Sequence, residues 1–373
     1  MFPDYLIIGA GAVGLATALE LNLRGARVTL LERGRSGGES TWAGGGILSP
    51  LLPWQYGDAV NALAEYSRRL FPEWCARLED QAGQAAEYRN SGMLVLPPFD
   101  RPAATNWCRR HDWRCEVRPG ADFLETARPD EALWLPDVAQ VRNPRLGQVM
   151  RGAAVAAGIR IVEAAEVLAM QPEGRTIRRV STTQGEFSAA GIIVCAGAWS
   201  GVLPGMETLG SRVFPVRGQM LLFKLSPGIL RNIVLRDGAY LIPRQDGHIL
   251  AGSTLEWTGF DKSTTQAARQ NLLAFASGIL PALNEQSLVM QWSGLRPGSP
   301  GNLPLIAALP DYDNLFVNSG HFRYGVTMAP GSALLLADLI EGRQPAIDAS
   351  PYQFREGGYP GNNDKAGFPS SRE

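Results

Sequence analysis

Residues 5–32 constrain the fold more than any other stretch of the chain. Tyr5-Leu6-Ile7-Ile8 is a short apolar run suited to a buried parallel strand. Gly9-Ala10-Gly11-Ala12-Val13-Gly14 follows, residues 13–24 carry helical periodicity, and Gly25 is a natural stop. Residues 27–31 read as a second strand, closed by Glu32, eighteen positions after Gly14. A G-x-G-x-x-G run alone says little, but between a strand and a helix, with an acid ending the next strand, it predicts a dinucleotide-binding βαβ unit. Gly9 permits the tight turn, Gly11 lets a pyrophosphate approach the backbone, and Gly14 allows close helix–strand packing. The helix N-terminus points N–H groups at the phosphates. Glu32 can accept hydrogen bonds from a ribose, and its charge repels a 2′-phosphate.

The same stretch is apolar enough to resemble a signal or membrane segment. Asp4 precedes it, Glu20 and Asn22 interrupt it, and it has no basic leader, so folded structure in a soluble, cytoplasmic protein is expected. The formal net charge is −1, which argues against a nucleic-acid partner because a polyanion needs a basic field. Cys75, Cys108, Cys115 and Cys195 form no CxxC pair, and His111 is the one histidine near them. They are expected to be reduced thiols, with no metal site. The lysines are Lys224, Lys262 and Lys365, which leaves few candidates for Schiff-base chemistry.

Further along, two kinds of pattern alternate. Helices are expected over 58–82, 144–158 and 330–341, with parallel-type strands at 159–162, 191–195 and 315–318. Residues 88–135 and 212–296 read as short strands and hairpins without βαβ rhythm, including 220–225, 239–244, a turn at 245–247 and 248–252. The expected class is α/β: a Rossmann-like domain with an inserted α+β domain on a large antiparallel or mixed sheet. The first is assigned 1–86, 144–212 and 301–348, the second 87–143 and 213–300. Residues 349–373 are expected to be a mobile tail.

Ser40-Thr41-Trp42-Ala43-Gly44-Gly45-Gly46-Ile47 offers hydroxyls and small residues soon after Glu32. Gly44 to Gly46 would let backbone press against a flat ring system, which favours FAD over NAD. Together with Ile7 to Gly14 and Glu32, this segment resembles the FAD-dependent D-amino acid oxidase superfamily, and within it the glycine oxidases of thiamine biosynthesis. The resemblance continues through Asn90-Ser91-Gly92-Met93-Leu94, Pro215-Val216-Arg217-Gly218-Gln219, residues 240–243, Gly294-Leu295-Arg296-Pro297 and Gly320-His321-Phe322-Arg323 to Gly325. It spans residues 5–345, and it implies an FAD domain with a substrate domain whose sheet lies against the flavin.

The resemblance adds Arg33, Val167, Ala196, Gly197, Trp199, Gly320, His321, Arg323, Gly325 and Thr327 to the cofactor-binding candidates Gly9, Gly11, Gly14, Glu32, Ser40, Thr41, Gly44 to Gly46 and Ile47. Some relatives attach flavin through a histidine where this chain has Ala43, others through a cysteine beyond the Arg-Pro motif, where this chain has none. Non-covalent FAD is therefore expected.

Arg296 is the leading candidate for a substrate carboxylate, since a guanidinium offers a planar fork matched to two oxygens. Tyr240 would add a hydroxyl, and Arg323 would touch substrate or brace the site. Leu255, where glycine oxidases often carry methionine, and Met93 are expected in the substrate pocket. His321 reads as scaffold or hydrogen-bond partner rather than base.

The resemblance implies oxidation of glycine, sarcosine or a small D-amino acid by hydride transfer to FAD, with the imino acid hydrolysed to ammonia and, from glycine, glyoxylate. Dioxygen would reoxidise the flavin and yield peroxide. A D-amino acid dehydrogenase passing electrons to a quinone, and a flavoprotein of tRNA base modification, are the alternatives. A homo-oligomer is admissible.

Overall fold

The computed structural model describes residues 3–124 and 131–354. Tyr5–Ile8 lies at the centre of a six-stranded sheet, parallel to Val28–Leu31 on one side and Gly191–Val194 on the other. Leu6 and Ile7 are wholly buried. Arg160–Val162 extends the sheet beyond Val28–Leu31, and Leu315–Ser319 then Leu305–Ala308 extend it the other way, the last strand antiparallel. Helices Ala12–Leu23, Asp58–Ala82, Asn143–Ala156 and Gly325–Ile340 bury their apolar residues in one core on one face. A three-stranded sheet of Val167–Glu173, Thr176–Thr182 and Gly185–Phe187 contributes to the other core.

The second large sheet has eight strands: Leu288–Gly298, Phe214–Lys224, His248–Gly252, Ala239–Pro243, Ile233–Arg236, Met93–Val95, Glu131–Leu135 and Glu116–Pro119, in that order. Its pairs are antiparallel except Ile233–Arg236 against Met93–Val95. One face carries Met93, Tyr240 and Ile242. The other is covered by helix Gln266–Ile279.

That helix lies in a region read from sequence as antiparallel throughout. Thr265 starts it by accepting a hydrogen bond from the Ala268 N–H at 3.2 Å, and it buries Ala268, Leu272, Ala276 and Ile279. A second unforeseen helix, Arg101–Arg110, is capped by Asp100 and has Pro102 in its first turn, where the missing N–H costs nothing. The last helix begins at Gly325, five residues ahead of the expected start, and carries Pro330 buried within it. Tyr352 is 1% exposed and donates its hydroxyl hydrogen to Ala59 O at 2.7 Å, so residues up to 354 belong to the folded body. The rest of the expected tail, 355–373, lies outside the described residues. Among those described, no helix is long and apolar enough to cross a membrane.

Candidate active site

The strand-to-helix turn builds the first half of the site. Gly9 has φ +108, a backbone region that glycine enters freely. A Cβ on Gly14 would overlap the Gly9 carbonyl oxygen, so the third glycine is demanded by helix–strand contact. The Glu32 carboxylate accepts from Ala10 N–H and Gly34 N–H, both at 2.9 Å, and Thr41 Oγ1 accepts from Ala12 N–H at 2.8 Å. Two loops are thus pinned around the helix N-terminus. The trough beside them is lined by Gly9, Gly11, Glu32, Arg33, Ser40, Thr41, Val167, Ala196, Gly197 and Trp199. The Arg33 guanidinium lies 3.7 Å over the Trp199 ring, an attractive cation–π contact.

A second cavity shares Gly11, Ser40, Thr41 and Gly197 with the first. It extends past Gly44, Gly45, Gly46 and Ile47 to Tyr240, Arg296, His321, Arg323, Gly325 and Thr327. Arg296 stands on the edge strand Leu288–Gly298, opposite Val216. Its Nη2 donates to Ser253 Oγ at 2.7 Å and its Nη1 to Thr254 O at 3.3 Å, both neutral acceptors. Its accessible surface faces the cavity, and the dense surroundings lower its pKa by desolvation while the nearby Tyr240 hydroxyl opposes that shift. Neither Arg296 nor Arg323 has a carboxylate in contact among the described residues. Among the described residues, no Asp, Glu or Lys lines this cavity.

His321 is 1% exposed, and burial pushes its pKa down to about 3. Among the described residues its Nε2 has no hydrogen-bond partner, and neither has Asn143 Oδ1 or Asn318 Oδ1 on the walls of the same cavity. Buried polar atoms without partners are rare and call for a bound group. Three such atoms, a glycine floor and a helix N-terminus along one connected trough fit an elongated dinucleotide with a polar-edged ring.

Several candidates lie elsewhere. Gly14 is a packing position, and Gly320, φ +81, stands behind the wall with its carbonyl accepting from Ser299 Oγ at 2.6 Å. Met93 is buried in the core cluster that also holds Tyr240, outside the cavity lining, and Leu255 is not part of that lining. Arg217 is spent on structure, paired with Glu256 and Asp261. Ser253, Asn143 and Asn318 were not singled out from sequence. For Ser253 the signal was present, because Gly252-Ser253-Thr254 marks the loop entering the site.

A family model described as DAO, FAD dependent oxidoreductase, matches residues 4–339. Glycine oxidase of Pseudomonas aeruginosa is 43% identical over 364 residues, covering 94% of this chain and 98% of that relative. Glycine oxidase of Pseudomonas putida is 39% identical over 360 residues, with 94% and 98% covered. The crystal structure of glycine oxidase from Geobacillus kaustophilus superposes with a TM-score of 0.87 at 27% identity, covering 95% of this chain and 98% of that one. The chain belongs to the DAO family of FAD dependent oxidoreductases.

Proposed function

We propose that the protein oxidatively deaminates glycine or a close relative such as sarcosine or a small D-amino acid. The observation that carries the reading is the placement of Arg296 and Tyr240 on the wall of one cavity whose lining, among the described residues, offers cations, hydroxyls and glycine backbone but no acidic side chain. Similarity to glycine oxidases over nearly the whole chain supports the same substrate class.

The trough from Glu32 to Ile47, with His321 and Thr327, would hold FAD, which would supply the two-electron acceptor. Arg296 holds the substrate carboxylate through its fork, and Tyr240 donates its hydroxyl hydrogen to the same group. Two nearby guanidinium groups disfavour a protonated amine, so Arg296 and Arg323 select the neutral form that can lose its α-hydrogen with both electrons. Buried His321 stays neutral and is too weak a base to be needed. The chain's contribution is orientation and electrostatics.

Dioxygen as acceptor and non-covalent attachment of FAD belong to this reading. So does division into an FAD domain and a substrate domain, each built on one of the two large sheets. Incubation of the purified protein with glycine in air tests it. Glyoxylate, ammonia and peroxide should form in equal amounts, and acid denaturation should release flavin. Turnover seen only with an added quinone would replace the oxidase with a dehydrogenase, and no product from any small amine would remove the reading.

A further inference from the structure

Arg244 follows the strand Ala239–Pro243 and is 5% exposed. Its Nη1 donates to Gln140 Oε1 at 2.7 Å and to Val141 O at 2.9 Å, and its Nη2 donates to Gly45 O at 2.7 Å. All three acceptors are neutral, and among the described residues Nε has no partner. The nearby carboxylates of Glu87 and Asp246 are paired with Arg142 instead. Burial, and then the charge of Arg142, push the Arg244 pKa down to about 9. A buried cation that contacts no anion is costly to keep, so the arrangement calls for a reason beyond a surface latch.

The reason lies in what the fork holds. Gly45 lines the cavity, and a Cβ placed on it would fall 2.7 Å from Ile242 Cδ1, 3.3 Å from Tyr240 Cε2 and 3.4 Å from Tyr240 Oη. Its carbonyl is therefore gripped by Arg244, while Ile242 and the Tyr240 ring fill the space where a side chain would stand. Val141 N–H donates to Gly46 O at 2.9 Å, and Gln140 Nε2 donates to Ser91 Oγ at 2.9 Å. One guanidinium thus joins the glycine loop, the crossing segment 140–141 and the eight-stranded sheet. A lysine has no planar fork to reach three carbonyl-type oxygens at once.

We propose that Arg244 is a positioning residue that fixes the Gly44 to Gly46 loop against Tyr240, and so sets where the flavin ring lies relative to the bound carboxylate. This rests on the flavin-dependent amine oxidase reading of the cavity.

The test uses FAD-loaded protein carrying Arg244→Met, Arg244→Lys or Arg142→Ala. Four properties are read: the visible spectrum of the bound flavin, the FAD dissociation constant, the melting temperature, and the rate of anaerobic flavin reduction at saturating amine. Arg244→Met should shift the spectrum, weaken FAD binding and slow reduction by about 10- to 100-fold, the scale of a misplaced reacting group, with KM changing less. Arg244→Lys should recover part of each. Arg142→Ala, which breaks the adjacent ion pairs, should move the melting temperature alone. A parental spectrum and reduction rate in both Arg244 variants would overturn the proposal, as would the same flavin signature in Arg142→Ala. If Arg244→Met does not fold, Gly45→Ala pushes the loop off the same wall and must show the flavin signature, and a parental spectrum there also overturns it. Should no amine reduce even the parent protein, the amine oxidase reading fails by itself, while the spectrum and FAD affinity still decide the role of Arg244.

Discussion

The guanidinium of Arg296 occupies the space that a side chain at Gly218 would need, because a Cβ at that position would overlap its Nη1, Nη2 and Cζ. The two residues sit on adjacent strands, with Gly218 paired to Gly294 and Val216 to Arg296. A glycine in mid-strand weakens a sheet, and here its bareness lets the arginine lie flat across the neighbouring strand toward the cavity. Gly218→Ala should displace the guanidinium and cost about 1–3 kcal/mol by overpacking. Steady-state kinetics should show a raised KM with FAD still bound, and unchanged KM would separate the two residues.

Arg296→Ala should retain FAD and lose about 2–5 kcal/mol of carboxylate binding, as for a desolvated charge pair deprived of one partner. Arg296→Lys should recover only part, since an ammonium cannot present the fork. Competition by a simple carboxylate inhibitor measures this without turnover, and parental inhibition of the alanine variant would remove Arg296 from the site.

Glu32→Ala leaves the Ala10 and Gly34 N–H groups without their acceptor. The buried Ala10 donor so orphaned costs about 1–3 kcal/mol, whereas Gly34 is exposed and its N–H can turn to water. The melting temperature of the FAD-free protein should fall, and FAD should bind more weakly still because a ribose partner has gone. Flavin fluorescence during FAD titration checks the second effect.

His321 gives a pH signature. Its pKa is about 3 in the folded protein against a reference of 6.5, so between these values the unfolded chain binds more protons. Its contribution to stability is complete above about pH 6.5 and is lost as pH falls toward 3, by up to about 1.4 kcal/mol per pH unit. His321→Asn should flatten that part of a denaturation-midpoint profile. It should leave the rise of flavin reduction with pH in place, whereas loss of that rise would make His321 a base.

The dinucleotide unit was legible because its signals are local: an apolar strand, three glycines, a helical period and an acid within residues 5–32. The hairpin around Gly247 was readable for the same reason. Helix Gln266–Ile279 was missed although Ala268, Leu272, Ala276 and Ile279 recur at helical spacing, because the strands flanking it set the wrong period for the whole region. Arg296 and Tyr240 could be named from resemblance, but the reason for Gly218 needed the register of two strands far apart in sequence. The grip of Arg244 on Gly45 spans 199 positions, and no short-range pattern reports such a contact. Leu255 and Met93 were placed by resemblance; Met93 shares the sheet face of Tyr240 but is packed into its core cluster, and neither residue belongs to the cavity lining.

The central claim is that this site takes electrons from a small amino acid, and anaerobic titration of the purified flavoprotein with glycine measures that directly. The account predicts full bleaching of the oxidised flavin band, with the reduction rate at subsaturating glycine rising with pH, and return of the yellow colour with peroxide on admitting air. A flavin band that stays oxidised through saturating glycine, sarcosine and D-alanine would contradict it.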